Sequence, residues 1–210
     1  MPTTAPSLLT GDSLSLYRIV NVYYAELDSG AEIPEPGGPL DEFWLHAGWL
    51  SPEGISENDN SENQEFTPYQ SAGPQLVVNT ERNVTFGATL WSTSSFVANR
   101  LYYSKKPDAF TYDEASKTVR LRDGGLRDRD IIMLCLEFIG LNGGRKRVFI
   151  ENGEATERGA PTGDKQNVTG YPLTWRPYET GDGQEPIIRE WTLTDRELPM
   201  WADVTGTPDP

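Results

Sequence analysis

Two residue types on which much enzyme chemistry depends are almost missing. The 210 residues contain one histidine, His46, and one cysteine, Cys135. A zinc site normally draws on several such ligands. A Ser-His-Asp arrangement would have to be built on His46 alone, and a lone cysteine forms no intrachain disulfide. Cys135 lies in DIIMLCLEFIG, where apolar neighbours predict an inert buried thiol. His46 alternates with Trp44 in an aromatic stretch, so a hydrogen-bonded structural role is expected. Long apolar runs are also missing. The longest, Ile131 to Leu136, is far shorter than the roughly 20 residues a membrane helix needs. No charged-then-apolar leader opens the sequence. The expectation is a soluble protein, made and assembled in a reducing cytoplasm, with no cofactor and no membrane contact.

Positive charge is scarce as well. The net charge is −14, from 18 basic and 32 acidic residues, which argues against general nucleic-acid binding. The scarcity is uneven. Residues 117–147 hold eight basic against four acidic side chains, while 1–116 hold five against sixteen and 148–210 five against twelve. This basic island, KTVRLRDGGLRDRD followed by RKR, either binds phosphate or meets acidic surfaces on other copies. The second reading is self-complementary, as a homo-oligomer requires. It makes Arg120, Arg122, Arg127 and Arg129 candidate subunit contacts.

What is present is mainly β patterning. LSLYRIVNVYY alternates apolar and polar side chains, and NVTFGATLW does the same over Val84, Phe86, Ala88 and Leu90, the mark of half-buried strands. FWLHAGWL, QLVV, KTVRLRD, RVFIE, GYPLTWRPY and IIREWTL are further strand candidates. IIMLCLEFI is apolar throughout and reads as a central strand covered on both faces. DSGAEIPEPGGP is a break. STSSFVANRLYYSKKP is the one helix, with Ser92, Thr93 or Ser94 as N-cap. Val97, Leu101, Phe96 and Tyr103 line one face of it, and Pro107 is its stop. About eight or nine strands around one helix make a β-sandwich or barrel.

Catalytic and ligand motifs fail one by one. Gly11-Asp12-Ser13-Leu14 is the GDSL-hydrolase tetrapeptide, but no histidine base follows near the C-terminus, and a serine without a base is a weak nucleophile. HAGWLSPEGISENDNSENQEFTPYQ, His46 to Gln70, turns through Pro52 and Gly54 into an acid-and-amide loop. An EF-hand needs glycine at the sixth position and glutamate at the twelfth. From Asp59 these are Gln64 and Gln70, and from Asn58 they are Asn63 and Tyr69. An irregular calcium site is the minor alternative. The carboxylates and six tryptophans also allow a carbohydrate-binding or carbohydrate-cleaving β-sandwich, which would need two facing carboxylates. GGRKR lacks the spacing of a phosphate loop.

The same stretch resembles the opening of the major tail (tail tube) proteins of long-tailed bacteriophages, the siphophages, especially those of actinobacteria. The resemblance rests on Gly48-Trp49-Leu50, an acidic turn Ser51 to Ile55 containing Gly54, a polar loop Ser56 to Glu65, and the aromatic-Gln pair Tyr69-Gln70. It continues through VTFGATLWSTSSFVANRLYYS, RVFIENGEATERG, YPLTWRPYE and IIREW. Many relatives carry tryptophan where Tyr69 stands. The resemblance implies a phage tail tube fold, a β-sandwich with one flanking helix over 42–193. Before it lies an N-terminal arm with a candidate strand (1–41), and after it a C-terminal tail (194–210).

The resemblance further implies a non-enzymatic virion protein, assembled in the bacterial host cytoplasm. Its hexameric rings stack into a hollow tail tube that conducts phage DNA without binding it specifically. Implied partners are further copies and the tape measure, tail terminator and distal tail proteins. The polar loop (Ser56, Glu57, Asn58, Asp59, Asn60, Ser61, Glu62, Asn63, Gln64, Glu65) would then be a subunit contact. A head-tail connector or capsid-decorating protein is the alternative within the virion, and the carbohydrate-directed sandwich the alternative outside it.

Overall fold

The apolar run Ile131 to Leu136 marks the centre of the molecule. The computed structural model describes residues 16–70, 72–124, 129–161, 166–181, 183–195 and 197–198. In it the run opens β7 (Ile131–Gly140). Side chains alternate across a strand, and both faces of this one are covered. Ile132, Leu134 and Leu136 enter one apolar cluster, while Met133 and Cys135 enter a second on the opposite face. The central strand is as the sequence predicts. Burial pushes the Cys135 thiol up to about 12, so it stays protonated and unreactive at neutral pH.

β7 pairs antiparallel with β1 (Tyr17–Glu26) on one edge and β8 (Arg145–Arg158) on the other. The sheet order is β2 (Leu45–His46), β1, β7, β8, β9 (Tyr171–Pro177), β4 (Leu76–Leu90) and β3 (Leu50–Phe66). β10 (Ile187–Thr192) pairs with the first half of β8, and β9 with the second half. The strand placed in the N-terminal arm is thus β1, an interior member of an 8-stranded sheet. β5 (Phe110–Asp113) and β6 (Thr118–Leu121) form a separate hairpin. β1 also touches β3. A flat sheet would hold strands five places apart at roughly 24 Å, so the sheet curls around its core. Among the described residues the chain is mainly β with one α-helix, as expected.

The helix, α1 (Phe96–Tyr103), differs from expectation in detail. Its N-cap is Ser95, whose hydroxyl accepts the Ala98 N–H at 3.1 Å, one residue beyond the predicted serines. It ends at Ser104 in the left-handed conformation, φ 49°, before Pro107 is reached. Ala98, Arg100, Leu101 and Tyr102 are its buried residues, whereas Phe96 stays half exposed.

Arg100 is the unexpected one. It is fully buried and donates to Glu26 at 2.8 Å and to Asp130 at 2.6 Å, tying α1 to the end of β1 and the approach to β7. Its guanidinium lies 5.9 Å from the Tyr24 ring. Burial disfavours its charge, but the hydrogen bonds it donates to the Asp130 and Glu26 carboxylates outweigh that and raise its pKa.

The Pro/Gly-rich break is a strap. Ala31, Ile33, Leu40 and Trp44 pack on Ala25, Met133, Cys135 and Phe149, closing the second face. Arg147 and Arg145 donate to the carbonyls of Gly38 and Gly37 at 2.6 and 2.8 Å, and Gly37 N–H donates to Glu190 at 3.0 Å.

Candidate assembly surface

The polar stretch Ser56 to Glu65 is not a loop. It is the outer part of β3 and pairs with β4 from Ser56 opposite Gly87 to Phe66 opposite Leu76, with one bulge at Thr80 of β4 between Glu62 and Asn63. The physical reason lies across the strand pair. Strand preference is largely decided by the partner, and β4 supplies β-branched Val77, Val78 and Val84 along the pairing. Pro52 and Gly54 do not reverse the chain either. They sit in a bulge between Leu50 and Ile55, with Gly54 at φ 70°, and β3 continues beyond it.

Only Phe86 to Leu90 of β4 pair with β9. The rest of β4 and its β3 partner run past the sheet as a two-stranded ribbon. At about 3.3 Å per residue, ten residues of β3 project roughly 30 Å. The base of the ribbon is moored to the body. Glu57 meets Arg189 and lies 3.9 Å from Lys146, and Arg176 meets Glu81 at 3.5 Å. Arg82 forks onto Asp59 across the two strands, at 2.6 Å for the shortest contact, holding the Asp59 carboxyl below its ordinary value.

Beyond those pairs no ion pair is found among the described residues of the ribbon. Glu62 stands opposite Glu81, the partner of Arg176, as a like-charge cross-strand pair. Phe66 and Leu76 are opposite each other, and Val78 lies two residues along the same face. All three are exposed, as is Val77 on the other face. Tyr69 and Gln70 sit in the turn at the far end, and Tyr69 is 101% exposed.

The other family-motif positions lie at the opposite end of β3. Gly48 has φ 92°, and a Cβ there would collide with the Ser92 hydroxyl. Glycine is therefore required, and FWLHAGWL splits into β2 and the start of β3 instead of one strand. His46 is structural. Its Nδ1 accepts the Gly48 N–H at 2.9 Å, which leaves Nε2 to donate to Asn21 at 3.2 Å. Trp49 is 81% exposed, its N–H donating to Ser92 at 2.7 Å, and Leu50 is half buried.

The basic island divides in two. Arg147 is buried against Glu137 at 3.0 Å, Arg145 lies 3.8 Å from the same carboxylate, and Arg129 pairs with Glu154 at 3.2 Å beneath the Tyr178 ring. These cations serve the fold. Lys117, Arg120 and Arg122 are exposed on and beside β6, with no ion pair among the described residues. Arg127 and the Gly11-Asp12-Ser13-Leu14 tetrapeptide lie outside the described residues. β5, missed in the sequence because it is a four-residue strand, brings Phe110 against Phe96 of α1, with ring centroids 5.2 Å apart. Between α1 and this hairpin lies a cavity of about 590 Å³, lined mainly by aromatic and apolar side chains.

No group of three or more His, Cys, Asp or Glu side chains gathers as a metal site among the described residues. Neither a family model nor a curated protein matches the sequence. Solved structures do match the fold. The tube-terminating cap of the anti-feeding prophage aligns over 91% of this chain and 100% of its own, at 10% identity and a TM-score of 0.51. The tail of an empty GTA particle, with C6 symmetry, aligns over 83% and 96% at 10% identity and 0.44. The SPP1 tail tube aligns over 90% and 84% at 7% identity and 0.41. The chain shares its fold with the tube-terminating cap.

Proposed function

We propose that the chain is a non-enzymatic structural subunit of a phage-type tail tube, closing into hexameric rings that stack coaxially. The observation that carries this is the ribbon. A two-stranded ribbon that projects from its sheet with exposed Phe66, Leu76 and Val78 has little in its own subunit to hold it, and a second subunit supplies what it lacks. The fold shared with a tube-terminating cap supports the same reading. The sixfold ring and DNA conduction come from the sequence resemblance to siphophage tail tube proteins, as do the tape measure, terminator and distal tail partners. The net charge of −14 suits a lumen that repels phosphate within the ~8 Å screening length of physiological salt.

Electron microscopy of the purified protein tests this. Rings or hollow tubes are the expected result, and monomers at every salt and concentration would overturn it. The match to a cap favours one second reading, a subunit that ends a tube. It would give single rings that never elongate.

A further inference from the structure

We propose that Asn142 is a self-modifying site: the Gly143 nitrogen closes on its side-chain amide and expels ammonia, and the acid that results unlatches the segment Thr194 to Leu198. This does not depend on assembly. The chain holds two Asn-Gly pairs, Asn142-Gly143 and Asn152-Gly153, and the fold treats them differently.

Glycine after asparagine leaves the attacking nitrogen unhindered, because it has no Cβ. Asn142 is exposed in the turn between β7 and β8, and Gly143 has φ 91°. The Gly144 N–H donates to Asn142 Oδ1 at 3.2 Å, an Asx-type contact. That oxygen takes up negative charge when a nitrogen adds to Cγ, so a donor already faces the charge that develops. Asn152 lies inside β8, with Gly153 opposite Ile132 of β7 and Pro177 of β9. Side chains of a strand stand out of the plane in which its amides pair, which holds the Gly153 nitrogen away from Asn152 Cγ. This second glycine serves packing, since a Cβ there would come within 2.9 Å of Leu134.

The step needs only water as co-reactant. The bond from Gly143 N to Asn142 Cγ forms and the Cγ–Nδ2 bond breaks. The Gly143 proton passes to the departing Nδ2, which leaves as ammonia. Water then opens the cyclic imide at either carbonyl, giving aspartate or isoaspartate. The Gly143 N–H donates to the Gly140 carbonyl at 3.2 Å. Conversion therefore follows opening of the turn, and it quickens with rising pH as the nitrogen loses its proton.

The consequence falls on Glu197. Its Oε1 accepts from Asn142 Nδ2 at 2.7 Å, while Oε2 accepts the Thr194 N–H at 2.8 Å and the Thr194 hydroxyl at 2.9 Å. Thr194 and Glu197 have capping-box spacing, and the Glu197 and Leu198 N–H groups return to the Thr194 carbonyl at 2.9 Å. Burial alone would raise the Glu197 pKa, but the hydrogen bonds from Thr194 and Asn142 outweigh it and lower the value. Glu197 is thus an ionised carboxylate latched to the β7–β8 turn by an amide. An acid at position 142 puts a second carboxylate against it, and the contact turns repulsive.

The full-length protein, incubated in mildly alkaline buffer and mapped by peptide mass spectrometry with isoaspartyl methyltransferase labelling, tests the site. The peptide holding Asn142 should gain the mass of amide-to-acid exchange and take the label, whereas the one holding Asn152 should not. No conversion at Asn142, or equal conversion at Asn152, would overturn the site. Amide exchange tests the latch, in Asn142→Asp and in converted wild-type protein separated by ion exchange. Glu197 and Leu198 should lose protection in both while β7 keeps it. Unchanged protection at Glu197 and Leu198 would overturn the latch.

Discussion

β4 belongs to two different environments. Val84, Phe86, Ala88 and Leu90 are buried in the core, while Leu76, Val77 and Val78, on the same strand, are exposed. The C-terminal half, Val84 to Leu90, is held by α1, β8 and β9 through one apolar cluster. The N-terminal half, from Leu76, is held by its hairpin partner and a few exposed ion pairs, which contribute little. Stability and assembly are therefore separable along a single strand, and substitutions in the two halves should have different consequences.

The largest effect on the subunit should come from Arg100→Ala. It leaves Glu26 and Asp130 without the cation they share in a largely dry site, a loss of about 3–5 kcal/mol, read as a fall in melting temperature. Next is the direct contrast. Leu134→Ala opens a cavity in the core and should cost about 2–5 kcal/mol. Val77→Ala on the ribbon should stay within about 0.5 kcal/mol. Equal losses at both positions would show that the ribbon packs within its own subunit.

Replacing Glu62 to Glu81 with an Asn-Gly turn should leave the body's melting temperature nearly unchanged and remove assembly. Retained assembly would break the division of labour.

The body was legible in the sequence because its signals are local. Alternation along β1 and the core part of β4 and the continuous apolar run of β7 report burial directly, and the Pro/Gly-rich break at 28–39 marks chain that continues no strand. The ribbon was not legible. Ser56 to Glu65 has loop composition, and only its pairing with a strand on the far side of a turn makes it extended. The Arg100 cluster was hidden for a similar reason, since its partners lie 74 and 30 residues away in sequence. The basic island was visible as composition. Which of its cations are consumed by Glu137 and Glu154 is a matter of register, which composition does not carry. The tail-tube resemblance found the fold, and it placed Tyr69-Gln70 at what proves to be the ribbon's turn.

The smallest effects are on pH dependence, and they differ between the regions. Burial lowers the His46 pKa from 6.5. As pH falls below that value the unfolded chain takes up the proton first, so the body loses a little stability. Arg82 lowers the Asp59 pKa from 3.8. The stabilisation this pair gives the ribbon is present above that value and lost as pH falls through the lower folded one. Amide exchange at the ribbon base should therefore accelerate only in that more acid range, and Asp59→Asn should abolish the step. A ribbon that loosens together with His46 would contradict the separation.

The most direct test of the central claim is amide hydrogen exchange in residues 60–80, compared between dilute monomer and assembled protein. The ribbon should exchange fast in the monomer, while β7 and β8 are protected, and should become protected on assembly. Protection in the monomer equal to that of the core, or no gain on assembly, would contradict the account.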